Sequence, residues 1–219
     1  MKPYYVGFPR SGSHWVRIFL EQYTNGNSPI SNFLAAKNET VQGLYKRIKN
    51  GEFKGTHDMD LNFKHDCVLY MYRHPINCIY SHMVYENINL NNSKDVLKFL
   101  DIWCRHVEKW CFNENFTKKK LVVSYESLVC DNIGGFSKIL EFLNLKVDKA
   151  KIVLCNKKSS KKNIRNIVHD KKVINVDNRY YDKRIEFASR FGGVINNSVS
   201  KYTTLWSEKE LLKENLNVK

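Results

Sequence analysis

Close to the start of the chain, two glycines bracket a turn: Gly7-Phe8-Pro9-Arg10-Ser11-Gly12-Ser13-His14. The apolar run Tyr4–Phe8 before it reads as a strand, and Val16–Leu20 after it reads as the start of a helix. A strand, turn and helix in this order aim several backbone N–H groups at one point, at the positive end of the helix dipole. The natural ligand is an anion such as a phosphate. The glycine spacing matches the opening of G-x-x-x-x-G-K-[ST], in which the lysine reaches the β- and γ-phosphates and the hydroxyl holds magnesium. Here Ser13 and His14 stand in those two places, and imidazole is a poor magnesium ligand. No strand ends on an aspartate that would anchor the metal a second time. The cation lies ahead of the second glycine instead, at Arg10, where a guanidinium neutralises an anion without a metal. No metal site is expected, and triphosphate hydrolysis is disfavoured.

Other strand ends carry chemistry of the same kind. In "VLYMYRHPINCIYSHMVY" a strand is followed by Arg73 and by a helix that Pro75 opens at a position proline favours. Ser81 follows Arg73 by eight positions. A guanidinium fork plus a hydroxyl suits a terminal phosphate monoester. In "FKGTHDMD", His57 directly follows a short strand, and a histidine there can take a proton from a hydroxyl near neutral pH. By contrast, Phe99, Leu100, Trp103, Val107 and Trp110 recur at helical spacing and read as a core stripe.

These residues need a scaffold. Strands are predicted at Tyr4–Phe8, Phe53–Thr56, Val68–Tyr72 and Leu121–Ser124. Helices are predicted at Ser13–Thr24, Thr40–Lys49, Ile76–Glu86, Lys94–Phe112, Ile133–Leu143 and Ser207–Asn215. The strands are short and apolar without polar alternation, as in a parallel sheet buried on both faces. Alternation of strand and helix predicts an α/β fold of three layers, a mostly parallel central sheet flanked by helices. Ligands then bind at the carboxyl ends of the strands. The basic run Lys157–Lys172 reads as a solvated loop or as a flap over an anion. The polar stretches Asn25–Asn38 and Asn87–Ser93 are candidates to line a substrate pocket.

With 219 residues, 42% of them hydrophobic and 13% aromatic, the chain suits one domain spanning residues 1–219 with a real core. No apolar run approaches the roughly 20 residues of a membrane helix. The Met-Lys-Pro opening leads straight into the first strand without a signal peptide, so a cytoplasmic protein is expected. Its six cysteines lack any C-x-x-C pair and are expected as reduced thiols. The net charge of +14 fits a polyanionic ligand, nucleic acid or a lysine-rich surface. No zinc-finger or RNP signature supports nucleic acid.

The first turn resembles the 5′-phosphosulfate loop of the sulfotransferase family, which uses 3′-phosphoadenosine 5′-phosphosulfate (PAPS). The family's Pro-Lys-Ser-Gly-Thr-Thr-Trp is replaced here by Pro9-Arg10-Ser11-Gly12-Ser13-His14-Trp15. Arg73 and Ser81 resemble the family's 3′-phosphate motif, and Gly55-Thr56-His57 its Lys-Thr-His segment. The stripe "KFLDIWCRHVEKW" resembles the family's aromatic helix, and Ser124-Tyr125-Glu126-Ser127-Leu128 its strand-to-helix passage through Tyr-Glu-Asp-Leu. The resemblance implies a P-loop-like sulfotransferase fold and transfer of a sulfuryl group from PAPS to a hydroxyl or amine, leaving 3′-phosphoadenosine 5′-phosphate (PAP). It implies His57 and Arg10 as catalytic groups. Arg10, Ser11, Gly12, Ser13 and His14 would grip the 5′-phosphosulfate, and Arg73 and Ser81 the 3′-phosphate. Trp15 and Tyr125 would lie near the adenine. Arg190 and Gly192 stand in a partial echo of the family's later Arg-Lys-Gly motif. The acceptor is open between a glycan, a small alcohol and a peptide tyrosine. The competing readings are a non-catalytic PAP- or nucleic-acid-binding protein of the same fold, and a P-loop nucleotide kinase.

Overall fold

Strand β1 (Tyr4–Gly7) lies inside a parallel sheet, flanked by β2 (Gly55–Thr56) and β3 (Cys67–Tyr72), with β4 (Lys119–Ser124) beyond β3. The computed structural model describes residues 3–30, 54–113, 115, 117–160 and 178–207. Every residue of β3 is buried, which explains why its sequence shows no polar alternation.

Period-two geometry divides the strand side chains between two cores. Val6, Phe8, Val68, Tyr70 and Tyr72 face one side. There they meet α2 (Pro75–Tyr85), α3 (Ser93–Val107) and α7 (Asn178–Val199). Tyr5, Leu69, Met71 and Val123 face the other side. They pack on α1 (Ser13–Tyr23), α5 (Asn132–Phe142) and α6 (Lys149–Lys158), while the short α4 (Tyr125–Cys130) follows β4 directly. The result is the expected three-layer α/β arrangement.

Local signals set the helix ends. Pro75 occupies the first turn of α2. Asn92, Asp131 and Asp148 accept from the amides of Lys94, Gly134 and Lys151 and so cap α3, α5 and α6. The predicted helix Lys94–Phe112 is two elements. The α-helix ends at Val107, and a π-helical turn, Glu108–Phe112, continues it. Three α-helices escaped the sequence reading: the six-residue α4, too short to show a period, and α6 and α7. In α6 only Ile152 and Cys155 are buried, too few to show a period. In α7 the stripe Phe187, Phe191, Ile195 and Val199 is regular, but Gly192-Gly193 within it reads as a turn signal. The predicted helix Thr40–Lys49 lies outside the described residues, as do all of Ser207–Asn215 but its first residue and the basic run from residue 161 onward.

Two glycines are dictated by close approach. A Cβ on Gly7 would meet the Met71 carbonyl oxygen at 2.8 Å. Gly12 holds φ at 102°, and a Cβ there would meet Tyr125 at 2.8 Å and Met71 at 2.9 Å. We expect Gly12→Ala to lower the unfolding free energy by about 1–3 kcal/mol, read from urea titration, because it adds left-handed strain to an aromatic clash.

Candidate functional site

Strand register gathers the candidates. Thr56 pairs with Val6, Gly7 with Met71, and Tyr72 with Ser124. The residues that follow β1, β2, β3 and β4 therefore emerge along one edge of the sheet: the turn from Phe8, then His57, Arg73 and Tyr125.

The turn between β1 and α1 carries the features an anion would need. Gly12 caps α1 with no side-chain hydrogen bond to the helix; the Trp15 amide turns back to the Gly12 carbonyl at 3.0 Å, which leaves the amides of Ser13 and His14 without an acceptor inside the helix. Ser11 is 1% exposed, and its hydroxyl finds no partner among the described residues. A buried hydroxyl beside open helix amides fits a phosphate or sulfate oxygen. Ser13 and the exposed His14 begin α1. Arg10, at φ 66°, holds a left-handed backbone rare for a side chain of its size. Its Nε donates to Ser81 Oγ at 3.1 Å, and its guanidinium lies over the Tyr85 ring at 5.0 Å. Two motifs 71 positions apart thus touch.

Arg73 leaves the end of β3 with its guanidinium 4.3 Å from the centre of the Tyr125 ring. Its carbonyl accepts from Trp103 Nε1 at 3.1 Å, and the next amide, of His74, donates to Glu126 Oε1 at 3.0 Å. Glu126, buried, also accepts from Trp206 Nε1 at 3.0 Å. The turn that presents Arg73 is therefore pinned from α3, α4 and the carboxyl-terminal segment. Trp15 meets Tyr125 edge-on at 5.6 Å and Phe136 at 5.4 Å, and its Nε1 donates to Asn156 at 3.2 Å.

His57 is exposed, and its Nδ1 lies 2.7 Å from the Gly7 carbonyl oxygen. A carbonyl only accepts, so Nδ1 carries a proton and, in the neutral ring, the lone pair is on Nε2. Below it, the fully buried His106 donates from Nε2 to the His57 carbonyl at 2.8 Å and accepts the Tyr70 hydroxyl at Nδ1, 3.0 Å away.

Arg190 and Gly192 do not follow a strand end. Both belong to α7, where Arg190 donates to Asn91 in the loop before α3 and Gly192 is buried facing Ile76 of α2. The cation that α7 does bring inward is Arg184, 7% exposed and bonded to Asn77 of α2 at 2.9 Å. Sequence reading passed over it, since a stretch holding Arg179, Lys183, Arg184 and Arg190 gives no sign of which cation is buried. Among the described residues no group of three or more His, Cys, Asp or Glu could hold a metal ion, and no helix is long and apolar enough to cross a membrane.

Fold and turn together define an α/β protein of the P-loop-like kind. The chain belongs to the sulfotransferase domain family, whose model matches residues 5–183. Solved structures of similar fold include mouse sulfotransferase SULT7A1 complexed with PAP, at 16% identity over 93% of this chain and 88% of that one, TM-score 0.47. Retinol dehydratase in a complex with retinol and PAP matches at 12% identity over 91% of this chain and 80% of that one, TM-score 0.53. Retinol dehydratase with androsterone and inactive cofactor PAP gives 12% identity, 90% and 80% coverage, and a TM-score of 0.49. At 12% identity the likeness to the retinol complex, TM-score 0.53, concerns the fold alone. Comparison with curated proteins gave no match.

Burial pushes His106 down to about 4; Lys109 and His57 add to this, while its bond to the His57 carbonyl and the charge of Asp58 oppose it. The unfolded chain binds this proton near pH 6.5 and the folded chain only near 4, so stability falls as pH drops through that interval. The urea midpoint is expected to be lower at pH 5 than at pH 7.5, and His106→Gln should shrink the difference.

Proposed function

We propose that the protein transfers a sulfuryl group from PAPS to a hydroxyl or amine acceptor. The observation that carries this reading is the contact of Arg10 with Ser81, which joins the anion-binding turn to the β3–α2 phosphate candidate, with His57 on the neighbouring strand end. The unpartnered Ser11 hydroxyl and the uncapped start of α1 are the features that fit the donor's 5′-phosphosulfate.

In this reading Arg73 and Ser81 hold the 3′-phosphate, and Trp15 and Tyr125 lie near the base. His57 Nε2 takes the proton from the acceptor as its oxygen or nitrogen attacks sulfur. A bond from acceptor to sulfur forms, the bond from sulfur to the bridging oxygen breaks, and PAP leaves with the electron pair. Arg10 and the turn amides at Gly12 and Ser13 stabilise the charge that gathers on the bridging oxygen, the Ser11 amide being engaged with the Phe8 carbonyl at 3.2 Å. Prepositioned donors of this type are commonly worth about 3–4 kcal/mol each. None of these roles calls for a divalent ion. The acceptor is a glycan, a small alcohol or a peptide tyrosine, to be sorted by a screen with labelled donor.

His57→Ala, assayed with PAPS in excess EDTA, should lose transfer by about 10²–10⁴-fold while PAP binding measured by calorimetry stays nearly intact. Persisting turnover would remove His57 from the role of base, and strict dependence on magnesium would return the case to kinases. Arg73→Ala should weaken PAP by about 1.5–3 kcal/mol and adenosine 5′-phosphate far less, since only PAP carries the 3′-phosphate. Equal losses would refute that role.

A further inference from the structure

An exposed imidazole on a loop holds a reacting geometry only if the loop itself is immobilised, and the sheet does little of that here. Strand β2 is two residues long, and its pairing stops at Thr56, the residue before His57. What fixes the following segment comes from α3 and its π-helical turn. His106 holds the His57 carbonyl. Lys109 Nζ donates to Asp58 Oδ2, to the Leu61 carbonyl and to the Phe63 carbonyl, each at 2.7 Å. Trp110 Nε1 donates to the same Asp58 oxygen at 2.8 Å, and Asp58 Oδ1 accepts the Phe63 amide at 2.8 Å. The three donor side chains stand at positions 106, 109 and 110, the i, i+3, i+4 spacing of one helix face.

Two further facts distinguish this from ordinary core packing. Lys109 and Asp58 are 6% and 4% exposed, and a buried ion pair is weak evidence for stability because desolvation offsets the attraction. Within the same segment Asp58 and Leu61 hold φ at 44° and 61°, left-handed values that a leucine in particular adopts only when its surroundings impose them. Buried charge and backbone strain are concentrated on the residues directly after His57.

We propose that His106, Lys109 and Trp110 are positioning residues, a clamp that fixes the segment from His57 to Phe63 so that the His57 ring keeps Nδ1–H on the Gly7 carbonyl and Nε2 free for the acceptor. The proposal rests on the reading of His57 as the base. Loss of the clamp leaves donor binding in place and degrades the proton-transfer geometry.

The test compares His106→Leu, His106→Gln and the double variant Lys109→Met/Asp58→Asn, which removes both buried charges at similar volume. Gln is long enough to donate to the His57 carbonyl as the imidazole Nε2 does; Leu cannot donate. His106→Leu should lower kcat by about tenfold or more, with KM for PAPS and PAP affinity changed by less than about twofold, as expected when a reacting group is misplaced by an ångström or less. His106→Gln should recover most of the loss. The ring 15N shifts of His57 should report the Nδ1–H tautomer in the wild type and in the Gln variant, and a mixture of tautomers in the Leu variant. A folded Leu variant with wild-type kcat, or equal losses in the Leu and Gln variants that follow melting temperature alone, would overturn the clamp. Should His106→Leu fail to fold, the double variant carries the same test, and unchanged kcat and tautomer there would also overturn it. Activity retained by His57→Ala would fail the base reading independently. Inactivity there beside a normal His106→Leu enzyme would refute only the clamp.

Discussion

Parallel register is the constraint on which the site depends. Because β1 pairs in step with both β2 and β3, and β3 with β4, the chain leaves the sheet at nearly one level four times. Neighbouring strands lie about 4.8 Å apart, so groups that follow them fall within reach of a single ligand. A shift of one residue in β3 would move Arg73 away from that edge and turn its whole apolar set toward the wrong helices. The apolar sequences of the strands, buried on both sides, hold the register, and the chemistry inherits it.

Around this edge the interior is unusually polar. Asp58, Lys109, His106 and Glu126 are buried, and each is tied to a backbone group within a few residues of a strand end. Apolar packing alone tolerates small sliding movements, since many arrangements of methyl groups are close in energy. A buried carboxylate or ammonium tolerates far fewer, because every partner it loses leaves a group unsatisfied in a poor solvent. The polar contacts thus convert a well-packed sheet edge into one with defined directions.

What the sequence revealed followed from short-range rules. The strands read correctly because their composition and length are distinctive, and Pro75 marked the start of α2. The strand-end principle then pointed to Arg10, His57, Arg73 and Tyr125 as residues on one edge, where register does set them. The contacts beneath His57 stayed hidden. His106, Lys109 and Trp110 meet Asp58 and His57 only through the folded chain, and at sequence level Trp110 reads as one more member of an apolar stripe. Helix α7 was obscured for a different reason: two glycines mid-helix imitate a turn when nothing shows that Gly192 packs toward α2 and Gly193 faces open space. Arg190 and Arg184 illustrate the same limit. Six positions apart on one helix, they differ only in which one α2 covers.

The left-handed backbone at Arg10 sets local comfort against use. Glycine would relax that turn, and asparagine would tolerate it better, yet either would discard the guanidinium that reaches Ser81. A library selected only for heat resistance should therefore drift toward small residues at this position and accumulate sturdier molecules stripped of their cation. On the proposed reading, robustness and competence are opposed at one torsion angle, and engineering of this scaffold would hold position 10 constant while it improves everything else.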